Sequence, residues 1–150
     1  MLACVGEPGE HLRVWAVRLL ADQETLDTAT IARFAELAKT DDSGLVRLYL
    51  ASALQRMPLE KRWPLAKALA SRLEDAGDPQ LPLMIWYGLE PAAAADPQQA
   101  LALCGEPIMP LIRRQIARRI TSEIDHGPEG VNELVDVAVR QTEPSSQLDL

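Results

Sequence analysis

Four ten-residue stretches of the chain superpose without a gap: HLRVWAVRLL from His11 to Leu20, LVRLYLASAL from Leu45 to Leu54, LPLMIWYGLE from Leu81 to Glu90 and LIRRQIARRI from Leu111 to Ile120. Their first residues are 11, 45, 81 and 111, so successive starts lie 34, 36 and 30 residues apart. Two helices and two turns fill a period of that size, and a unit so small has no second layer on which to bury its apolar side. Such units fold by stacking on one another. The spacing therefore constrains the fold more than any single residue does.

The punctuation agrees with this period. An acidic turn containing Pro or Gly precedes each stretch: Glu7-Pro8-Gly9-Glu10, Asp41-Asp42-Ser43-Gly44, Gly77-Asp78-Pro79-Gln80 and Glu106-Pro107-Ile108-Met109-Pro110. Turns of this kind stop one helix and cap the next. Between the stretches, apolar residues recur with helical period: Ile31, Phe34, Ala35 and Ala38 within Thr28 to Lys39, and Leu65, Ala66, Leu69, Ala70 and Leu73 within Arg62 to Glu74. Pro64 falls in the first turn of the latter, where its missing N–H costs little. A shorter Ala-rich helix is expected from Asp96 to Leu103. Another is expected from Glu129 to Arg140, with Val131, Leu134, Val135 and Ala138 on one face. Aromatic residues make up only 4% of the chain, and β-branched runs are scarce, which disfavours sheets. The expected fold is all-α, a stack of about four antiparallel helix hairpins over residues 1–140 with incomplete terminal repeats. Residues 141–150 read as a polar linker or the start of a truncated further helix.

Arg13, Arg47 and Arg113 occupy the same repeat position, two residues into each stretch, and an acid sits in the turn before each: Glu7 or Glu10, Asp41 or Asp42, and Glu106. A guanidinium there can bridge turn acids and carbonyls of adjacent repeats and so fix their register. Leu83 occupies the position in the third copy and interrupts the ladder. On this reading Arg47→Ala costs little by itself but loosens the helix from Leu45 to Leu54.

The pattern Asp41-x-Ser43-x-Leu45-Val46-Arg47-x3-Ala51-x-Ala53-Leu54 resembles the HEAT-repeat signature, which the first and fourth copies match partially. The resemblance implies a right-handed α-solenoid. Longer stretches, HLRVWAVRLLAD, LVRLYLASALQRMPLEKRWPLAKAL, DPQLPLMIWYGLEP and PLIRRQIARRI, are similar to the helical region of large multidomain haem proteins of planctomycetes and related bacteria. That resemblance implies a periplasmic parent in which this region links an upstream propeller of sugar-dehydrogenase type to a downstream cytochrome c domain carrying haem c. No CxxCH occurs in the chain, so the resemblance assigns no cofactor and no redox role to any residue here.

Several function classes are disfavoured. The formal net charge of −7 does not supply the field that draws nucleic acid or anionic lipid. His11 and His126 are the only histidines, and no Gly-x-Ser-x-Gly elbow, Gly-rich phosphate loop or HExxH occurs, so no catalytic residue is assigned. Glu123-x-Asp125-His126 offers oxygen and nitrogen ligands but lies at the Gly127-Pro128 breaker without a second cluster, and reads as a helix end rather than a metal site. Cys4 and Cys104 are too far apart in sequence to form a metal or redox motif and read as two small buried thiols, with a disulfide as the lesser alternative. The start Met1-Leu2-Ala3-Cys4 lacks the basic and apolar regions of an export signal.

The run Leu83-Met84-Ile85-Trp86-Tyr87 is apolar on every side, as in a buried helix or one that faces a partner. Core packing is the first reading, and Trp15 and Trp63 are read likewise. A partner face comprising Trp86, Tyr87, Arg114 and Arg118 is the second. Arg113, Arg114, Arg118 and Arg119 concentrate positive charge on one helix that could meet phosphate, RNA or an acidic protein surface, but the aromatics that support single-strand stacking are absent; a solvated face is the first reading, and a nucleic-acid-binding repeat protein the least favoured function. The function expected is a non-catalytic scaffold or protein-interaction module, with a spacer that shapes electron transfer between propeller and cytochrome as the alternative.

Overall fold

A computed structural model of the chain describes residues 9–23, 25–123 and 129–150. Cys4, Glu7, Pro8, Asp125, His126 and the Gly127-Pro128 breaker lie outside the described residues. Within them the regular structure is helical: α1 (Glu10–Ala21), α2 (Thr28–Thr40), α3 (Gly44–Leu54), α4 (Trp63–Ala70), α5 (Leu81–Ala95), α6 (Pro97–Cys104), α7 (Pro110–Thr121), α8 (Glu129–Arg140) and α9 (Pro144–Leu148). Side-chain oxygens start several of them. The Asp27 carboxylate accepts the Thr30 N–H at 2.7 Å, Ser43 Oγ accepts the Val46 N–H at 3.2 Å, and the Asp96 carboxylate accepts the Gln99 N–H at 3.1 Å. Asp78 accepts the N–H groups of Gln80 and Leu81, both at 2.8 Å, ahead of α5. Each satisfies donors that the first helical turn leaves without partners.

The helices pack in two rows. In one, α1 lies on α3, α3 on α5 and α5 on α7; in the other, α2 lies on α4 and α6 on α8. Contacts between consecutive helices join the rows, and a single core runs between them, with Phe34, Leu50, Leu54, Leu65, Leu69, Ile85, Leu89, Ile112 and Ile116 fully buried. Each such side chain contributes about 1.5–3 kcal/mol by leaving water. Small residues set the spacing. At Gly88 the α3 and α5 backbones approach so closely that a Cβ would stand 2.4 Å from Leu54 Cβ. A backbone bond from the Met109 N–H to the Ala70 carbonyl, 2.9 Å, ties the start of α7 to the end of α4.

The structure departs from the sequence reading in several places. α4 ends at Ala70 rather than continuing to Glu74, and the chain tightens into a 3-10 turn at Leu73–Asp75. Leu73 is consequently exposed, while Asp75 is carried inward. Trp15 is also exposed rather than packed between helices, and the Arg18 guanidinium lies 5.3 Å from its ring centroid. Trp63 is half-buried against the core, Val135 faces outward, and Leu134 is the buried anchor of α8. α5 continues through Pro91 to Ala95, burying Ala92 and Ala93. The tail forms α9, and Leu150 packs against the core.

The close approach at Gly88 is directly testable. Gly88→Ala is expected to destabilise the fold by about 1–3 kcal/mol through overpacking, although Ala is favoured over Gly by ~1 kcal/mol in an open helix. Gly77→Ala, whose Cβ would meet nothing within 4 Å, is expected to stay within about 0.5 kcal/mol of the parent. Urea unfolding followed by circular dichroism measures both, and equal stabilities would contradict the packing described for α3 and α5.

Candidate functional site

Two arginines of the first row each reach a carboxylate 28 residues ahead. Arg13, in the first turn of α1, donates to Asp41 through Nε at 2.7 Å and Nη2 at 3.0 Å. Arg47, at the same point of α3, donates to Asp75 through Nε and Nη2, both at 2.5 Å. Both contacts are two-pronged, the strongest geometry available to this pair. Arg47 also donates from Nη1 to the Asp41 carbonyl at 2.6 Å, and Arg72 reaches the same carbonyl from Nη2 at 3.3 Å. The Asp41 carboxylate in turn accepts the Ser43 N–H at 2.8 Å. Burial works against its charge, but the bonds from Arg13 and Ser43 and the fields of Arg13 and Arg47 outweigh it, so its pKa lies below the ordinary aspartate value.

The carboxylate partner is thus in the turn that follows, not the turn that precedes, each arginine. Asp75 was absent from the sequence reading, although the 28-residue spacing from Arg13 to Asp41 repeats from Arg47 to Asp75 and was visible in the chain. Arg113 keeps its place in the first turn of α7 but donates to backbone carbonyls, Cys104 at 3.2 Å and Glu106 at 2.8 Å, with the Asp149 carboxylate 3.7 Å away. The Glu106 side chain pairs instead with Lys67 at 2.7 Å. Arg62 is a further buried cation that the sequence did not single out. Among the described residues its three nitrogens donate to carbonyls alone, those of Met57 (2.9 Å), Gly88 (2.6 Å) and Gln55 (3.3 Å), and burial lowers its pKa. It staples the α3–α4 connection to α5.

Beyond their first turns, the same first-row helices form an open groove of about 570 Å³. Arg18 of α1, Leu48 and Tyr49 of α3, Arg56 just after α3, and Leu83 and Met84 of α5 line it. A shallower depression of about 470 Å³ lies between α5 and α7, with Trp86, Glu90, Gln115, Arg118 and Arg119 around it. Tyr87, 58% exposed, borders both and makes them one surface. Of the residues expected on a partner face, the structure brings Trp86, Tyr87 and Arg118 together. Arg114 turns elsewhere, 3.6 Å from Asp149. The Leu83-to-Tyr87 run divides accordingly: Ile85 and Trp86 are buried, Leu83 and Met84 form groove floor, and Tyr87 projects.

Cys104 is buried, and burial pushes its thiol up to about 12 against the lowering influence of Arg113, so it is a packing residue rather than a nucleophile at neutral pH. Among the described residues no three His, Cys, Asp or Glu side chains gather to hold a metal, and no helix is long and apolar enough to cross a membrane. No family model, curated protein or solved structure matches the chain.

The ladder yields two expectations. Arg47 and Asp75 are both buried, so the small cost anticipated for Arg47→Ala on an exposed ladder gives way to a large one: removing either partner should cost about 3–5 kcal/mol by stranding the other charge. The double substitution Arg47→Met with Asp75→Leu should recover most of that loss in a thermal melt, and failure to recover would mean that the pair acts through more than its own charges. For Asp41 the native pKa is depressed, so its stabilisation is present above the unfolded value of about 4 and is lost as pH falls through the native value. Asp41→Asn should flatten the stability–pH curve below about pH 4. A curve parallel to the parent's would contradict this.

Proposed function

We propose that the chain is a HEAT-like α-solenoid whose first-row face docks a protein partner. The observation that carries this reading is the open groove built jointly by α1, α3 and α5, which no single hairpin could form. The alternation of helix contacts and the twice-repeated arginine–aspartate pairing support the solenoid assignment, since a stacked array repeats its inter-unit contacts at the period of its units. The lining supports docking over chemistry: aromatic and aliphatic side chains with a few arginines are the composition of protein contact surfaces.

A photo-crosslinking residue placed at Ser52, in the groove, is expected to trap a discrete partner in cells of the source organism. The same residue at Glu36, on the exposed side of α2, is expected to trap none. Equal labelling from both positions, or none from Ser52, would overturn the docking role. The similarity to haem-protein helical regions favours a second reading, in which the solenoid spaces a propeller from a cytochrome c domain. Its test is the genomic sequence on either side, where the absence of both domains would sink it.

A further inference from the structure

The charge on this face runs opposite in sign to that of the chain as a whole. The whole chain carries −7, yet the groove is lined by Arg18, Arg56, Arg118 and Arg119 against two carboxylates, Asp22 and Glu90, with Glu123 beside Arg119 as a third close by. Those three are already engaged: Asp22 with Arg56, and Glu90 and Glu123 with Arg119. Among the described residues neither Arg18 nor Arg118 has a carboxylate partner. Arg18 lies over the Trp15 ring, an arrangement that holds the guanidinium plane while leaving its N–H edge open to an incoming acceptor. Arg118 stands beside the Tyr87 depression. Between the two lies the partly exposed apolar floor of Leu48, Leu83 and Met84, and Met is the side chain that adapts best to differently shaped apolar groups.

Resting on the docking role proposed above, we infer that the groove takes an acidic peptide segment of a protein partner, its Asp or Glu carboxylates on Arg18 and Arg118 and its Leu-, Phe- or Trp-type side chains on the floor between them. An anionic segment suits two guanidinium groups that have no carboxylate partner among the described residues, and a purely acidic one would leave the apolar floor wet. Single-stranded RNA would supply the charge, but its bases would find Tyr87 projecting, Tyr49 half-buried and the Trp15 ring already engaged by Arg18, where a stacking platform needs a succession of open rings. Because both arginines lie at the rim, they should contribute mainly through steering and selectivity, and the affinity should fall with salt.

Panning a phage-displayed library of random dodecamers on the intact chain tests this. The expected result is enrichment of peptides that combine Asp or Glu with large apolar residues. The selected peptides should bind about tenfold more weakly to the Arg18→Glu, Arg118→Glu double variant, whose melting temperature is unchanged, and also to Met84→Glu. Recovery of basic or neutral peptides, no enrichment over an unrelated protein, or undiminished binding to the charge variant would each overturn the proposal, as would an RNA dodecamer that competes for the face. The crosslink from Ser52 separates the two failures. A trapped partner without acidic selection leaves the docking role standing and removes this inference, whereas neither result removes both.

Discussion

Asp41 is a joint at which four separate parts of the chain meet. Its carboxylate takes both prongs of Arg13 from α1, and its carbonyl takes Arg47 from α3 and Arg72 from the end of α4. Arg47 then passes the same contact forward to Asp75. Apolar seams between helices tolerate sliding, because one Leu-to-Ala contact differs little in energy from the next. A two-pronged guanidinium–carboxylate bond in a buried turn tolerates almost none. The order of the first row thus rests on a few directional contacts, while the bulk of its stabilisation comes from the apolar residues between the rows.

The side chains exposed on the first-row face follow from that division. Arg13, Arg47 and Arg113 occupy the first turns of α1, α3 and α7 and are consumed there by carboxylates and carbonyls. Further along, the helices are free to present side chains outward, and their register determines which ones meet. Tyr87 comes to border two depressions because α5 lies between α3 and α7. Gly88, one residue on, lets α5 settle against Leu54, and its carbonyl receives Arg62. A single turn of α5 therefore serves the close packing, the staple and the exposed face together.

Helix existence was largely legible because each signal is local. The 3.6-residue apolar period, the caps at Asp27, Ser43 and Asp96, and the prolines in first turns all act within a few residues of the position they determine. The all-helical class follows from these. The errors had tertiary causes. Leu73 continues the apolar period of α4, yet the helix stops short, and the 3-10 turn that replaces it sets Asp75 beside Arg47. Trp15 looks like a core residue by type, but α1 leaves it exposed, with the Arg18 guanidinium over its ring.

The sequence by itself determined that the chain is helical, where most helices begin, and that one arginine position recurs with the repeat; the cause is that propensity, capping and periodicity act over a few residues. Only the tertiary structure decided which carboxylate each arginine takes, that Arg62 is answered by carbonyls alone, and that Trp86, Tyr87 and Arg118 share a surface from which Arg114 is absent. Those pairings depend on the angle and offset at which one helix lies on another. That geometry arises from the simultaneous packing of side chains drawn from several helices, and no single stretch of sequence contains it.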